Sequence, residues 1–279
     1  MENLVRTVYG AAVQTANFVD KTLEILPYST LNEKFDVAKN IHHVSGDDKI
    51  ALRYLGIGIG GHRLVLGNNG VPLVEPILHR PTDASLYRPI PFLIRPANDD
   101  ISAAERANYR MRKEEVFNGK NYICYYLRKV DYSSTSVIMN YTTKASPDDL
   151  TTAFTPSLSN LNPTPPIIDP SGATPTTGDY VSVSAFMPFA MTDDDVYKLK
   201  EVAQIIYGDE RYAMITELAF VTGVDKPVTT NYSGQNLNYL EAIDAQCAGF
   251  VSTTFFSQFQ DNTADFIFDV GASEPLIVV

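Results

Sequence analysis

The distribution of proline constrains this chain more than any other feature. Of 17 prolines, six fall between Pro72 and Pro96 and seven between Pro147 and Pro175. Proline fixes φ and has no N–H, so helix interiors and central strands are excluded from both stretches. The first, 72–96, reads as extended chain that is ordered by packing, at a surface or a subunit contact. The second, 145–179, adds Ser, Thr, Asn and Gly and has few residues able to form a core. It reads as a long loop, or as an arm gripping a neighbouring subunit. It separates an N-terminal α+β region, 1–144, from a C-terminal α+β region, 180–279, the two packed as one unit.

The remaining segments carry strand signals more often than helix signals. Lys49–Ile59, Tyr180–Phe189, Tyr212–Thr222 and Phe266–Val270 read as strands, with a last one at Leu276–Val279. Arg63–Leu66 and Val71–Glu75 flank Gly67-Asn68-Asn69-Gly70, a turn sequence that tolerates positive φ, and predict a hairpin. Tyr122–Lys129 and Ser136–Thr142 are expected to pair through a turn at Asp131–Ser134. Residues 239–256 fit either period; Gly249 and the β-branched and aromatic run after it favour a strand. Three helices are expected. One spans about 10–25. One starts at the capping box Ser102-Ala103-Ala104-Glu105 and runs to Phe117, where Asn118-Gly119 stops it. The third is capped by Thr192 and ends at Gly208, with Asp193, Asp194 and Asp195 at the positive end of its dipole and Val196, Leu199, Ala203 and Ile206 at helical spacing. The fold class is therefore α+β, mainly antiparallel and sandwich-like, with two or three helices and long proline-rich loops.

Charge and composition narrow the function classes. Lys and Arg total 22 against 33 Asp and Glu, a net charge of −11. Duplex affinity comes largely from neutralising phosphates with basic side chains, so direct nucleic-acid binding is not expected. No segment approaches the length of a membrane helix, and no signal peptide is read at the N-terminus. Two cysteines, Cys124 and Cys247, make neither a disulfide framework nor a four-cysteine zinc site, and read as small buried apolar groups. Asn140-Tyr141-Thr142 and Asn231-Tyr232-Ser233 match the glycosylation sequon by chance.

Several motifs hint at chemistry without completing it. Gly56-Ile57-Gly58-Ile59-Gly60-Gly61 satisfies G-x-G-x-x-G, but a dinucleotide site needs a helix to begin there. The following His62–Leu66 is strand-like, so the glycines read as a place of close backbone approach or a bulge. His42, His43, His62 and His79 with Asp47 and Asp48 draw a metal site only on paper, because adjacent residues of a strand face opposite ways. Asp193–Asp195 is better explained by capping, and Asp47-Asp48 and Asp148-Asp149 as turns. Arg106, Arg110 and Lys113 would share one face of the second helix as a solvated or salt-bridged stripe. No nucleophile–base pair is found. No catalytic, cofactor-binding or metal-ligating residue is assigned, and no cofactor is expected.

Two stretches carry a resemblance. Ile41-His42-His43-Val44-Ser45-Gly46-Asp47-Asp48-Lys49, running into Leu55–His62, is one; His79-Arg80-Pro81-Thr82-Asp83-Ala84-Ser85-Leu86-Tyr87-Arg88-Pro89-Ile90-Pro91-Phe92 is the other. They resemble virion structural proteins of large tailed bacteriophages, of the neck, tail or baseplate-wedge kind. The apolar run at 239–256 followed by Phe266–Val270 is similar to the end of such wedge proteins. The resemblance covers much of the chain, rests on no diagnostic motif and carries over no functional residue. It implies a non-enzymatic virion subunit, assembled in the host cytoplasm, whose partners are copies of itself in a three-, six- or twelvefold ring and other virion proteins. Two other classes stay open. A carbohydrate- or ligand-binding β-protein would use an aromatic cluster such as Tyr122, Tyr125 and Tyr126; a hydrolase would need convergent carboxylates or a nucleophile–base pair.

Overall fold

The computed structural model describes residues 3–37, 48–67, 69–144, 148–163, 179–232, 234–252 and 264–275. In chain order these form β1 (Asn3–Arg6), α1 (Val8–Phe18), α2 (Leu31–Phe35), β2 (Ala51–Gly58), β3 (His62–Leu66), β4 (Pro72–Pro76), β5 (Pro89–Ile90) and β6 (Leu93–Pro96). Then come α3 (Ala103–Arg106), β7 (Tyr109–Phe117), β8 (Lys120–Lys129), β9 (Val137–Thr143), β10 (Leu150–Ala153), α4 (Leu158–Leu161) and β11 (Tyr180–Met191). The last are α5 (Asp193–Tyr207), β12 (Glu217–Tyr232), β13 (Gln235–Ser252), β14 (Ala264–Asp269) and β15 (Ala272–Pro275). The chain is thus α+β and built mainly of antiparallel sheet. It divides into two units, one of Met1–Val130 with Met191–Ala264, the other of Asp131–Ala190 with Asp265–Val279. These boundaries differ from those at 144 and 179 expected from proline content, because strand pairing rather than composition sets them.

The first unit is organised by one eight-stranded sheet. Its centre is the long antiparallel pair β12–β13, with β1 on the far side of β13 and β2 on the far side of β12. Beyond β2 lies β8, which pairs with β7 along its length. The sheet curls until β7 returns to β13: the Glu241 carboxylate of β13 accepts the backbone N–H groups of Met111 (2.6 Å) and Arg112 (3.0 Å). Part of the outer edge of β13 beyond Glu241 is also covered. Asn32 of α2 donates to Ala242 O and accepts from Ala245 N, Gln246 donates to Ser29, and Thr7 donates to Cys247 O before β1 takes over. These contacts occupy part of a strand edge that would otherwise be open to pairing. Leu55, Leu93, Val221, Ala245 and Phe250 are among the core residues, while α1 and α2 lie against β13 and α5 against β6.

The helix at Thr192 forms as expected, with a reciprocal cap between Thr192 and Asp195 and Val196, Leu199 and Ala203 buried. The helix expected from Ser102 to Phe117 does not: it closes after Arg106, and Tyr109–Phe117 is a strand. Asn118 and Gly119 both have positive φ (51° and 75°). They are the two central residues of a β7–β8 hairpin turn rather than a helix stop. Pairing along β8 overrides the helix propensity of Arg112-Lys113-Glu114-Glu115. Near the N-terminus the helix ends at Phe18, short of the expected 25, and it buries Val13 while Val8 and Val19 stay exposed.

The second unit contains a five-stranded antiparallel sheet, ordered β10-β9-β11-β14, with β15 also on β11. The expected pairing of 122–129 with 136–142 is not made. Tyr122–Lys129 lies in β8 of the first unit, and β9 pairs with β10 and β11. Part of 145–179 is regular after all, as β10 and α4. Residues 164–178, the turn at 45–47 and the strand expected at Leu276–Val279 lie outside the described residues.

Candidate functional site

The most elaborate side-chain cluster lies where the glycine-rich end of β2 meets β12. Glu217, the first residue of β12, is fully buried opposite Gly58. Its Oε1 accepts from Gly60 N (2.9 Å) and Arg88 N (2.8 Å), and its Oε2 from Tyr87 N (3.1 Å) and lies 3.0 Å from His79 Nε2. A methyl group at Gly58 would collide with Glu217 Oε1, and one at Gly60 would lie 2.8 Å from it. The glycines therefore leave room for a buried carboxylate to reach the backbone just after β2 and just before β5, in agreement with close backbone approach. His79 is stacked between Tyr87 (4.1 Å) and Phe250 (4.0 Å), and its Nδ1 lies 3.2 Å from Asp83 Oδ2. Burial pushes the Asp83 carboxyl up, but the Arg80 amide, the Tyr87 hydroxyl and His79 outweigh it and hold the group below its ordinary value. The cluster pins the proline-rich segment 77–91 to the sheet. His79 and Glu217 are fully buried in it, while Tyr87 is 46% exposed.

Two further buried clusters have the same character. Asp225 binds Arg110 through both oxygens (2.6 and 3.0 Å), Tyr54 Oη (2.6 Å) and Lys129 Nζ (3.0 Å). Although burial opposes it, these partners hold its carboxyl well below the carboxylate range. Glu241 accepts Met111, Arg112 and Ala242 amides, Met111 being at φ 54°. Burial pushes its carboxyl up to about 7 against those amides and Arg110. Buried charges of this kind need full pairing, and they specify which strands meet.

The candidate residues read from the sequence do not converge. Arg106 binds Asp100, Arg110 binds Asp225 and Lys113 binds Glu115, so the expected basic stripe is three separate pairs around strand β7. Asp194 and Asp195 pair with Lys198 and Arg128. Tyr125 and Tyr126 are core residues and Tyr122 is partly buried, so they form no concave aromatic cluster. Both cysteines are buried, and burial raises both thiols, Cys247 to about 12. His42, His43 and Asp47 lie outside the described residues. Among the described residues no group of His, Cys, Asp and Glu could hold a metal ion, and no helix is long and apolar enough to cross a membrane. The sequence does not single out Glu217, Glu241 or Asp225, which sit in or at the start of strands with other polar residues in them.

The surface is more informative than the interior. In the second unit, register places Val137 opposite Ala185, Met139 opposite Val183 and Tyr141 opposite Val181, all on one face of the sheet. Val137 is 73% exposed, and Met139, Val183 and the β10 residue Leu150 are also exposed. In the first unit, β3 and β4 form a two-stranded hairpin that no third strand joins among the described residues. Leu64 opposes Val74 and Leu66 opposes Pro72, and the two leucines are 72% and 77% exposed. Elsewhere in the same unit, a cleft of ≈ 320 Å³ opens between α3 (Ala103, Arg106, with Ala107) and the β12–β13 ribbon (Pro227, Asn238, Tyr239, Leu240). Soluble monomers rarely show contiguous apolar patches of this sort unless they mark contacts.

These features define a β-rich chain in which several charged groups are buried struts and some exposed surfaces carry aliphatic side chains. It belongs to the Family of unknown function (DUF7208), which matches residues 1–279. No curated protein and no solved structure matches it.

Proposed function

We propose that the chain is a structural subunit of a tailed-phage virion, in the neck, tail or baseplate, acting through subunit interfaces rather than catalysis. The observation that carries this reading is the open sheet face of the second unit, where Val137, Met139, Val183 and Leu150 face solvent. A sheet gains stability by burying one face, and an antiparallel sheet with aliphatics left outside has that burial still to make. The resemblance of 41–62 and 79–92 to neck and wedge proteins supplies the setting. The test is quantitative mass spectrometry of purified particles from the phage encoding the chain. The expected result is a copy number that is a multiple of three, six or twelve. Absence from the particle, or a solitary protein turning over a small molecule, overturns it.

A further inference from the structure

We propose that the junction of β7 with β13 is a proton-operated joint, shut while Glu241 carries a proton and free to part when it does not. It stands apart from the assembly reading above. Among the described residues the two strands share no ladder: β7 pairs with β8, and β13 with β12 and β1. One side chain takes the ladder's place. Glu241, 0% exposed, accepts Met111 N (2.6 Å) and Ala242 N (2.8 Å) at Oε1, and Arg112 N (3.0 Å) at Oε2. A ladder comes apart only when many bonds go together, whereas this junction hangs on one ionisable group. The backbone is bent to make it. Met111 holds φ 54°, rare for a residue with a Cβ, and drops out of the β7–β8 register between Arg110 and Arg112. Its N–H thereby reaches Glu241 instead of β8. On β13, Asp244 holds φ 50° within the register shift against Thr222 and Val224. Strain of this kind lasts only while its surroundings enforce it, so it favours opening once the carboxyl's grip fails.

The surroundings decide which charge state closes the joint. Arg110 of β7 favours the ionised form, but its guanidinium is bound to Asp225 of β12. Arg112 is paired with Asp100 and Glu114 and lies over the Tyr239 ring of β13 (5.9 Å). Lys226 of β12 is directly opposed to Glu241, and Asp244 follows it on β13. From α2, which packs on both strands, Asn32 donates to Ala242 O and Lys34 to Leu86 O. Burial outweighs the amides and Arg110 and lifts the Glu241 carboxyl to about 7. A neutral carboxyl still accepts N–H groups, so the closed junction keeps its bonds when protonated. The closed joint therefore binds a proton that the open, hydrated one releases, and opening becomes easier as pH rises from about 4.5 to about 7.

Amide hydrogen exchange of the intact chain, read residue by residue by NMR and corrected for the intrinsic effect of pH, tests the joint. From about pH 5 to about pH 7.5, protection at Met111 and Arg112 is expected to fall about tenfold or more. Amides of the β2–β12 ladder, from Leu218 to Phe220, are expected to keep theirs. Glu241→Gln cannot ionise and is expected to abolish the fall. The carbon-13 shift of the Glu241 carboxyl in wild type is expected to titrate in step with the protection, a readout that needs no variant. Protection at Met111 and Arg112 that does not move with pH overturns the joint. An equal loss throughout the first unit, which is unfolding of the whole sheet, also overturns it. So does a fall that persists in Glu241→Gln, or a Glu241 carboxyl that titrates below about 5, in the ordinary range of a hydrated acid.

Discussion

The two sheets of this protein treat polarity in opposite ways. The sheet of the first unit takes charges inside: Glu217, Glu241 and Arg110 are all but fully buried, and each is bonded on every accessible side. The sheet of the second unit leaves aliphatic side chains outside on β9, β10 and β11. A buried carboxylate that collects backbone amides costs desolvation and returns specificity, because only one strand arrangement satisfies it. An exposed aliphatic face lowers its free energy only when something covers it. The first sheet is thus specified from within, whereas the second leaves an aliphatic face in water.

The largest effect is expected at the strut that fixes the first sheet. Glu217→Ala leaves three backbone amides and His79 buried without their acceptor. Removing one partner of a buried charged cluster costs on the order of 3–5 kcal/mol, read as a drop in the urea midpoint. Glu217→Gln keeps the shape and one acceptor and should lose less. If Glu217→Ala leaves the midpoint unchanged, the cluster is not a strut and the contrast between the sheets collapses.

The pH dependence of the first unit comes next. Glu241 has a folded-state carboxyl at about 7 against an ordinary 4.5. The folded chain therefore binds more protons than the unfolded chain between those values, and this group's contribution to stability declines as pH rises from about 4.5 to about 7. Asp83 and Asp225 are depressed, so their contributions are present above the ordinary carboxylate range and are lost in acid, outside that window. Denaturation of wild type and Glu241→Gln across pH 5 to 7.5, both within about the buffered range where carboxyl linkage is read, should show a falling slope that the variant lacks. Equal slopes would remove Glu241 from the account.

The β7–β8 turn shows what the sequence disclosed and what it hid. Capping at Thr192 and the hairpin at 62–76 are local events, legible because the residues that decide them are neighbours. Asn118-Gly119 is equally local but ambiguous, since a helix stop and a two-residue hairpin both use positive φ. The deciding partner, β8, follows the turn, and the groups that fix Arg110 and Met111 in β7 lie on β12 and β13, more than a hundred residues away. The ribbon from Asp225 to Leu240 was missed because its Thr and Asn residues give neither period. Gly119→Val, at φ 75°, is expected to cost roughly 1–2 kcal/mol. A helix stop would also hold this residue at positive φ, so thermal unfolding of the variant measures the strain at the turn, and it is the pairing of β7 with β8 that identifies the turn as a hairpin.

The smallest expected effect on the isolated chain sharpens the comparison most. Met139→Lys with Val183→Glu places opposite charges on directly opposed residues of the exposed face. Because both side chains already meet water, their replacement should alter the stability of the free chain by no more than about 0.5 kcal/mol each. The cross-strand pair could even recover a few tenths. Incorporation into particles should nonetheless fall sharply, since burying unpaired charge against an apolar partner surface is costly. A matched change in the first unit, Val221→Glu, should unfold the chain outright, as Val221 is 0% exposed. Should Met139→Lys/Val183→Glu destabilise the free chain as strongly as a core substitution, that face is interior to the subunit and the argument for a covering partner fails. Unchanged stability together with unchanged incorporation would place the contact on some other surface.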